Sequence, residues 1–136
     1  MLNKDQVISI MKDLDLASDQ YLVFSGGTLA AHEIRETSDV DVVVTQSLFA
    51  ELKETSEWKH TNRCDGTEFL DKGDVEIASK LELEDYPVTL AEAKSREDII
   101  DGIPFMNLKD LIQFKQAYGR KKDKKDIKLI NNYLNT

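Results

Sequence analysis

Two acidic residues and a pair of glycines stand close together in the first third of this 136-residue chain. Asp39 and Asp41 are separated by one valine, and because side chains alternate along a strand, both carboxylates face the same side of it. Two such charges repel each other, and a divalent cation relieves the repulsion. Carboxylates together with substrate phosphates are the usual ligands of Mg²⁺, and Mn²⁺ accepts the same oxygens. The sequence therefore predicts that Asp39 and Asp41 bind Mg²⁺ or Mn²⁺.

The glycine pair, Gly26 and Gly27, follows an apolar run of strand type and precedes a short predicted helix at about residues 28–34. Glycine has no Cβ, so the backbone here can approach a ligand closely. A helix that begins at this point also directs free N–H groups toward an anion. The predicted phosphate-binding residues are Ser25, Gly26, Gly27 and Thr28.

A third carboxylate is expected from a β-hairpin, predicted as strands 67–71 and 74–79 around a turn at Lys72 and Gly73. Asp74 and Glu76 share one face of the second strand. Glu76 has apolar residues on both sides, as in the middle of a central strand, whereas Asp74 directly follows the turn glycine. Both remain candidates for the third acid. The predicted catalytic residues, which are also the predicted metal ligands, are Asp39, Asp41 and Glu76.

The order of these motifs, with Arg35-x-Thr37-x-Asp39-x-Asp41 after the glycine pair, resembles the nucleotidyltransferase superfamily of the DNA polymerase β kind. Within it, the chain looks like small bacterial nucleotidyltransferases related to abortive-infection toxins, where the pattern R-x-T-x-D-h-D recurs. The resemblance implies transfer of a nucleoside monophosphate from an NTP to a hydroxyl group, and it implies that Arg35 binds the nucleotide. In that family the third acid is more often Asp than Glu, so Asp74 stays open as the alternative.

The resemblance extends into the C-terminal segment LKDLIQFKQAYGRKKDKKDIKLI. It implies that Lys115 lies near the nucleotide and that Asp123 or Asp126 supports the site. From helical spacing alone, Lys115 shares a face with leucines, so its ammonium either extends to the surface or points into a polar cleft. Asp126 has a second reading as an ordinary charge on the helix surface.

The remaining patterns predict one α/β (α+β) domain over residues 1–136, in which helices flank a small mixed β-sheet and a helix pair closes the C-terminus. Helix N-caps are expected at Asn3, at Thr45 or Ser47, at Thr89 and at Asn107. The further predicted helices cover about residues 2–14, 45–55, 89–93, 108–118 and 122–134, and the further strands cover about residues 21–25, 39–44, 58–62 and 99–105.

Composition limits the cellular setting and the partners. The formal net charge of −8 argues against a protein that coats nucleic acid through a broad positive potential. Five of the six residues from Arg120 to Lys125 are basic, and this run is either a local RNA contact or a solvated helix face. The single Cys64 cannot form an internal disulfide, and no apolar stretch of about 20 residues is present. We expect a cytoplasmic protein without a membrane partner.

Two functions from different classes follow. The first is a metal-dependent nucleotidyltransferase whose acceptor is RNA, such as a tRNA end, or a small molecule such as an antibiotic. The alternative is a catalytically degenerate protein of the same fold that binds a nucleotide or a protein partner. The resemblance to toxins makes an antitoxin one possible partner.

Overall fold

The computed structural model describes residues 1–63, 66–81 and 83–136, and Cys64 lies outside these ranges. The strands are β1 (Tyr21–Phe24), β2 (Val40–Val44), β3 (Lys59–Asn62), β4 (Glu68–Lys72), β5 (Val75–Ala78), β6 (Asp98–Ile100) and β7 (Ile103–Phe105). The α-helices are α1 (Lys4–Leu14), α2 (Gly26–Ala31), α3 (Gln46–Glu54), α4 (Leu90–Lys94), α5 (Leu108–Tyr118) and α6 (Lys121–Leu134). The chain is therefore an α/β protein, as predicted.

The strands form one mixed seven-stranded sheet in the order β3-β4-β5-β2-β1-β7-β6. β1 and β2 are antiparallel neighbours at its centre, with Phe24 opposite Asp41. β5 runs parallel to β2, and β7 runs parallel to β1. Because of the antiparallel pairing, the end of β1 and the beginning of β2 meet at the same edge of the sheet. This confirms the pairing needed to bring the glycine pair and the acidic strand together.

Side-chain caps explain where four helices begin. Each cap oxygen accepts a hydrogen bond from a backbone N–H of the first turn, which would otherwise lack a partner. The predicted caps are confirmed, and Thr45 rather than Ser47 caps α3. The capping residues are Asn3 for α1, Thr45 for α3, Thr89 for α4 and Asn107 for α5.

The prediction of a single strand around residues 99–105 is wrong, because this segment forms two antiparallel strands, β6 and β7. The chain reverses at Asp101 and Gly102, which have φ values of 51° and 84°. Asp-Gly is the residue pair that a tight hairpin turn with two positive φ angles favours. The prediction joined the apolar residues on both sides of Asp101 and Gly102 into one strand.

The two faces of the sheet bury different residues. The face that we call the rear face carries Val40, Val42 and Ile77, and it packs against α1 and α3. The opposite face, the front face, carries Leu22 and Val43 and packs against α4, α5 and α6. Alternation along β2 separates the two sets, because Asp41 and Val43 point away from Val40 and Val42.

The C-terminal helices form the predicted pair and pack against each other. Gly119, with a φ of 64°, lies between them, and its N–H caps the end of α5 by bonding the Lys115 carbonyl oxygen. The pair covers Leu22 and Val43 on the central strands of the front face. Within the described parts of the chain, no helix is long and apolar enough to cross a membrane.

Candidate active site

Three carboxylates form a row across the front face. Asp41 on β2 lies directly opposite Glu76 on β5, and Glu76 lies directly opposite Asp71 on β4. Residues paired in this way point to the same side of a sheet, so these side chains are neighbours. The sequence predicted Asp41 and Glu76 but not Asp71. We call these three residues the carboxylate row.

The hairpin turn explains why Asp71 was missed. The prediction put the turn at Lys72 and Gly73, but β4 extends through Lys72 and the turn comprises Gly73 and Asp74. This shift by one residue changes every cross-strand partner in the hairpin. It brings Asp71 opposite Glu76, so reading Gly73-Asp74 as the turn would have revealed the third member of the row.

The structure also separates the two candidates for the third acid. Glu76 is half-buried and lines the same cleft as Asp39 and Asp41. Asp74 is exposed in the turn, is not among the residues that line the cleft, and accepts a hydrogen bond from the Val40 N–H through its carbonyl oxygen at 2.8 Å. Glu76 is thus the carboxylate that the fold brings to Asp41.

The cleft has a volume of about 340 Å³ and lies between the front face and the C-terminal helices. We call it the carboxylate cleft. The residues that line it include Phe24, Ser25, Gly26, Arg35, Asp39, Asp41, Arg63, Phe69, Glu76, Phe114, Lys115, Tyr118, Arg120, Lys122 and Asp126. It therefore contains the acidic strand, the end of β1 and both predicted cationic residues.

The turn from β1 into α2 has a different basis from the one predicted. A Cβ on Gly26 would collide with the Thr37 side chain, and a Cβ on Gly27 would lie 2.7 Å from the Val23 Cγ1. Both positions therefore require glycine because side chains of the protein itself pack where a Cβ would be. Close approach of a ligand is not needed to explain them. Ser25, which precedes them, adopts a φ of 58°, a value that side-chain-bearing residues rarely take.

Only half of the predicted phosphate-binding residues reach the cleft. Ser25 and Gly26 line it, whereas Gly27 and Thr28 do not. Thr28 is fully buried, and its hydroxyl donates to the Val23 carbonyl oxygen at 3.3 Å. Gly27 and Thr28 therefore lie away from the cleft, where Thr28 holds α2 to β1 through its hydroxyl and Gly27 packs closely against Val23.

Arg35 and Lys115, the two predicted cationic residues, share one carboxylate partner. Arg35 donates to both carboxylate oxygens of Asp126 at 2.8 and 2.9 Å, and Lys115 lies 2.9 Å from the second oxygen. Lys115 also lies 3.4 Å from Asp123. Its side chain is only 3% exposed, so it points into the cleft and does not extend to the surface. Asp126 thus connects the segment after α2 to both C-terminal helices.

The two aspartates of α6 are buried, which excludes the surface reading of Asp126. Burial by itself would raise the pKa of Asp126, but hydrogen bonds from Arg35 and Lys115 lower it below its usual value. Burial likewise opposes ionisation of Asp123, yet hydrogen bonding by Arg120 lowers the pKa of that carboxyl. Both aspartates are therefore anions that balance the cations beside the cleft.

Asp41 and Glu76 of the carboxylate row have pKa values shifted in the opposite direction, upward. Burial raises the pKa of Asp41 to about 7, and repulsion from Asp39 and Glu76 adds to the shift, although Lys115 and Lys122 oppose it. Burial also raises the pKa of Glu76, followed by repulsion from Asp71. An additional cation in the cleft would lower both pKa values.

The predicted metal ligands do not form a complete cage. Among residues 1–63, 66–81 and 83–136, no group of three or more His, Cys, Asp and Glu side chains is arranged to hold a metal ion. Mg²⁺ commonly takes only one or two protein carboxylates and completes its shell with phosphate and water. The oxygen-only donors and the raised pKa of Asp41 fit such a partial site, with Asp39 and Asp41 as its protein ligands.

The basic run divides into two parts. Lys122 lines the cleft, and Arg120 lines it while pairing with Asp123 at 2.6 Å. Lys121, Lys124 and Lys125 are exposed on α6.

Comparison with known proteins gives no family model, no curated protein and no solved structure that matches this chain. The geometry of the cleft therefore carries the functional assignment.

Proposed function

We propose that this protein is a metal-dependent nucleotidyltransferase with a nucleotidyltransferase-like fold, which transfers a nucleoside monophosphate from an NTP to a hydroxyl acceptor. One observation carries the proposal: Asp41 and Glu76 are direct neighbours on adjacent strands, in the same cleft as the turn formed by Ser25 and Gly26. Two acids on neighbouring strands can bind a cation and accept a proton. Both actions suit phosphoryl transfer, in which negative charge develops on phosphate oxygens and the acceptor hydroxyl loses its proton.

The cleft contains groups that suit a triphosphate and groups that suit a cation. Ser25 and Gly26 lie at the end of β1, and the positive side chains of Arg35, Lys115 and Lys122 line the same cleft. These groups bind and orient the triphosphate. Asp39 and Asp41 would hold Mg²⁺ or Mn²⁺, which when bound neutralises the charge that develops on the transferred phosphate and the leaving pyrophosphate.

Glu76 supplies the proton acceptor. Its raised pKa makes it a stronger base than an ordinary glutamate, as general base catalysis requires. The acceptor oxygen forms a bond to the α-phosphorus of the NTP while the bond from that phosphorus to the β-phosphate oxygen breaks. Pyrophosphate leaves with that electron pair, and the acceptor proton passes to the Glu76 carboxylate.

Incubation of the protein with each labelled NTP, Mg²⁺ and either total RNA or a panel of small hydroxyl compounds tests this proposal. We expect label transfer by the wild-type protein and none by Asp41→Asn, which keeps the size of the side chain but removes its charge. Label transfer that is equal in the two proteins would overturn the assigned role of Asp41.

Titration with a non-hydrolysable NTP tests binding independently of the acceptor. We expect binding in Mg²⁺ or Mn²⁺ and a loss of affinity in EDTA, because the carboxylates and the triphosphate otherwise repel each other. The same affinity with and without metal would contradict the role assigned to Asp39 and Asp41.

One observation favours the alternative of a non-catalytic module that binds a nucleotide or a protein such as an antitoxin. Arg35 and Lys115 already pair with Asp126, so part of the cationic charge of the cleft is neutralised within the protein. NTP binding without transfer to any acceptor would favour this alternative. The partner of the proposed enzyme is an NTP, whereas the module binds a nucleotide or a protein. We retain the cytoplasmic setting as part of the proposal.

A further inference from the structure

A second groove, which we call the aromatic groove, continues from the carboxylate cleft. Its volume is about 320 Å³. The two cavities share a wall of five residues, which are Phe24, Arg63, Phe69, Phe114 and Tyr118. Beyond that wall the groove is lined by Lys80 and Leu81, among others, whereas Ser25 and Gly26 do not line it. The groove therefore leads away from the turn at the end of β1.

The shared wall is built from aromatic rings in edge-to-face contact. The Phe114 ring lies 5.4 Å from that of Phe24 and 5.1 Å from that of Tyr118. Phe114 itself is buried and fixes the wall to the core, while Tyr118 is 41% exposed at the end of α5. Rigid anchoring on one side and exposure on the other are the properties of a stacking surface for a planar ligand.

Planar groups already stack on two of these rings. The Arg63 guanidinium lies 3.8 Å above the Phe69 ring, and the Arg120 guanidinium lies 4.5 Å from the centre of the Tyr118 ring. Each of these ring faces is covered by a guanidinium whose side chain is about half exposed, 54% for Arg63 and 47% for Arg120, so a flat group can take the place of either guanidinium. Nucleobases are flat groups of this kind and stack on the same surfaces.

The cations at the groove are available for phosphate groups. Arg63 is 54% exposed, and its guanidinium lies 3.8 Å from Glu76, which is a weak contact for an ion pair. Lys80 is exposed and lines the groove but not the carboxylate cleft. With the exposed carboxyl of Glu84, the groove of this acidic chain carries two positive side chains and one negative side chain beside a surface for bases.

The direction of the proposed reaction decides which substrate enters the groove. In phosphoryl transfer the attacking and leaving oxygens lie roughly in line on opposite sides of the phosphorus. If pyrophosphate leaves beside Ser25 and Gly26, the acceptor hydroxyl must approach from the side of Glu76. Arg63 and Phe69 are on that side, because Phe69 lies on the same strand as Asp71, the partner of Glu76.

We propose that the aromatic groove binds the terminal nucleotide of a single-stranded nucleic acid acceptor, with its base stacked on Tyr118 in place of the Arg120 guanidinium. Arg63 and Lys80 pair with backbone phosphates, and the terminal hydroxyl lies at Glu76. This inference rests on the proposed function and narrows its acceptor from any hydroxyl compound to a polynucleotide end. Only about two phosphates are paired, so the logarithm of affinity falls with the logarithm of salt concentration with a slope of about −1.4.

Fluorescence anisotropy with a labelled single-stranded oligonucleotide of about twelve nucleotides tests the stacking surface without NTP or metal. We expect Tyr118→Ala to weaken binding by roughly tenfold, the effect of removing one stacked base contact. Tyr133→Ala is the matched control, because Tyr133 is also a helical tyrosine, is 43% exposed and does not line the groove. Equal affinities of the two variants would overturn the inference.

Charge reversal tests the phosphate contacts in the same assay. We expect Lys80→Glu to weaken oligonucleotide binding and to reduce the slope of the salt dependence, since one phosphate contact is lost. The control is Lys128→Glu, which introduces the same change on an exposed face of α6 outside the groove. An RNA and a DNA oligonucleotide of one sequence are compared to establish which sugar the groove accepts.

The possible failures can be told apart. Metal-dependent NTP binding by a wild-type protein that binds neither oligonucleotide would overturn this inference and leave the proposed function intact. Loss of NTP affinity alone in Tyr118→Ala would assign the aromatic surface to the incoming base and also overturn the inference. A wild-type protein that binds oligonucleotides but no NTP would instead overturn the proposed function.

Discussion

The two faces of the sheet use the same strands for opposite purposes. On the rear face, Val42 and Ile77 are fully buried among apolar side chains. One residue away on each strand, Asp41 and Glu76 on the front face are partly desolvated and repel each other. Apolar burial stabilises the fold, whereas burial of carboxylates opposes it. Under the proposed function, the cost of burying these acids is offset when the site binds a cation.

The largest expected effect is a loss of transfer activity, and it arises from a residue of the front face. Glu76→Gln removes the proton acceptor and is expected to lower the rate of transfer by about two to four orders of magnitude, with little effect on stability. The exposed carboxyl of Asp74 is the matched control, since Asp74→Asn changes an acid two residues away that does not line the cleft. Single-turnover rates at saturating NTP measure both. A slow Asp74→Asn beside a normal Glu76→Gln would reverse the assignment.

The next effect concerns stability and belongs to the rear face. Ile77→Ala leaves a cavity between the sheet and its covering helices, and it is expected to lower the free energy of unfolding by about 3 kcal/mol. Transfer measured well below the melting temperature should change far less than in Glu76→Gln. Urea unfolding followed by circular dichroism provides the measurement. Unchanged stability would show that the rear face does not hold the sheet.

A smaller loss of stability is expected where the helices join the front face. Asp126→Asn removes the charge that binds both Arg35 and Lys115, and it should lower the free energy of unfolding by about 2 kcal/mol. Lys128→Ala serves as the control on the same helix, at an exposed position. NTP affinity is measured on the same variant. Arg35 and Lys115 lose their carboxylate partner in Asp126→Asn, so NTP affinity should rise if that pairing weakens their attraction for the triphosphate.

The smallest expected effect is a gain in the free energy of unfolding and not a loss. The pKa of Asp41 is about 7 in the folded protein and about 3.9 in an unfolded chain, so the folded state binds the extra proton between these values and loses stability as pH rises through 7. Asp41→Asn removes this loss. After allowance for solvent screening, we expect a gain of about 1 kcal/mol near pH 8 that disappears toward about pH 4. Thermal unfolding over this pH range, with Asp74→Asn as control, measures the gain, and an Asp41→Asn variant less stable than wild type at pH 8 would contradict it.

Sequence reasoning reached the parts of the site that depend on local patterns. Alternation in the predicted strand put Asp39 and Asp41 on one face, and both line the cleft although Asp39 directly precedes β2. An apolar run ending at a glycine pair predicted the turn beside them. The partner of Glu76 escaped prediction because strand register changes with a shift of one residue in the turn. Such a register depends on backbone geometry that composition does not specify.

Other parts depend on packing between distant segments. Asp126 and Arg35 are 91 positions apart, and nothing in either local sequence shows that they form a two-bond contact. Gly27 illustrates the same limit, because its need for glycine comes from Val23 on the neighbouring strand and not from a ligand. Both facts follow only from how helices dock on the sheet.

The bridge through Asp126 has a consequence for the order in which the protein matures during synthesis. The acids and the glycine turn are made early, but Arg35 acquires its partner only when α6 docks on α5. When β1 to β5 have emerged from the ribosome, the nascent chain therefore carries the acids of the site without Lys115 and Lys122, the cationic residues of the last two helices. Competence to bind NTP should appear late, in step with the folding of the last helix.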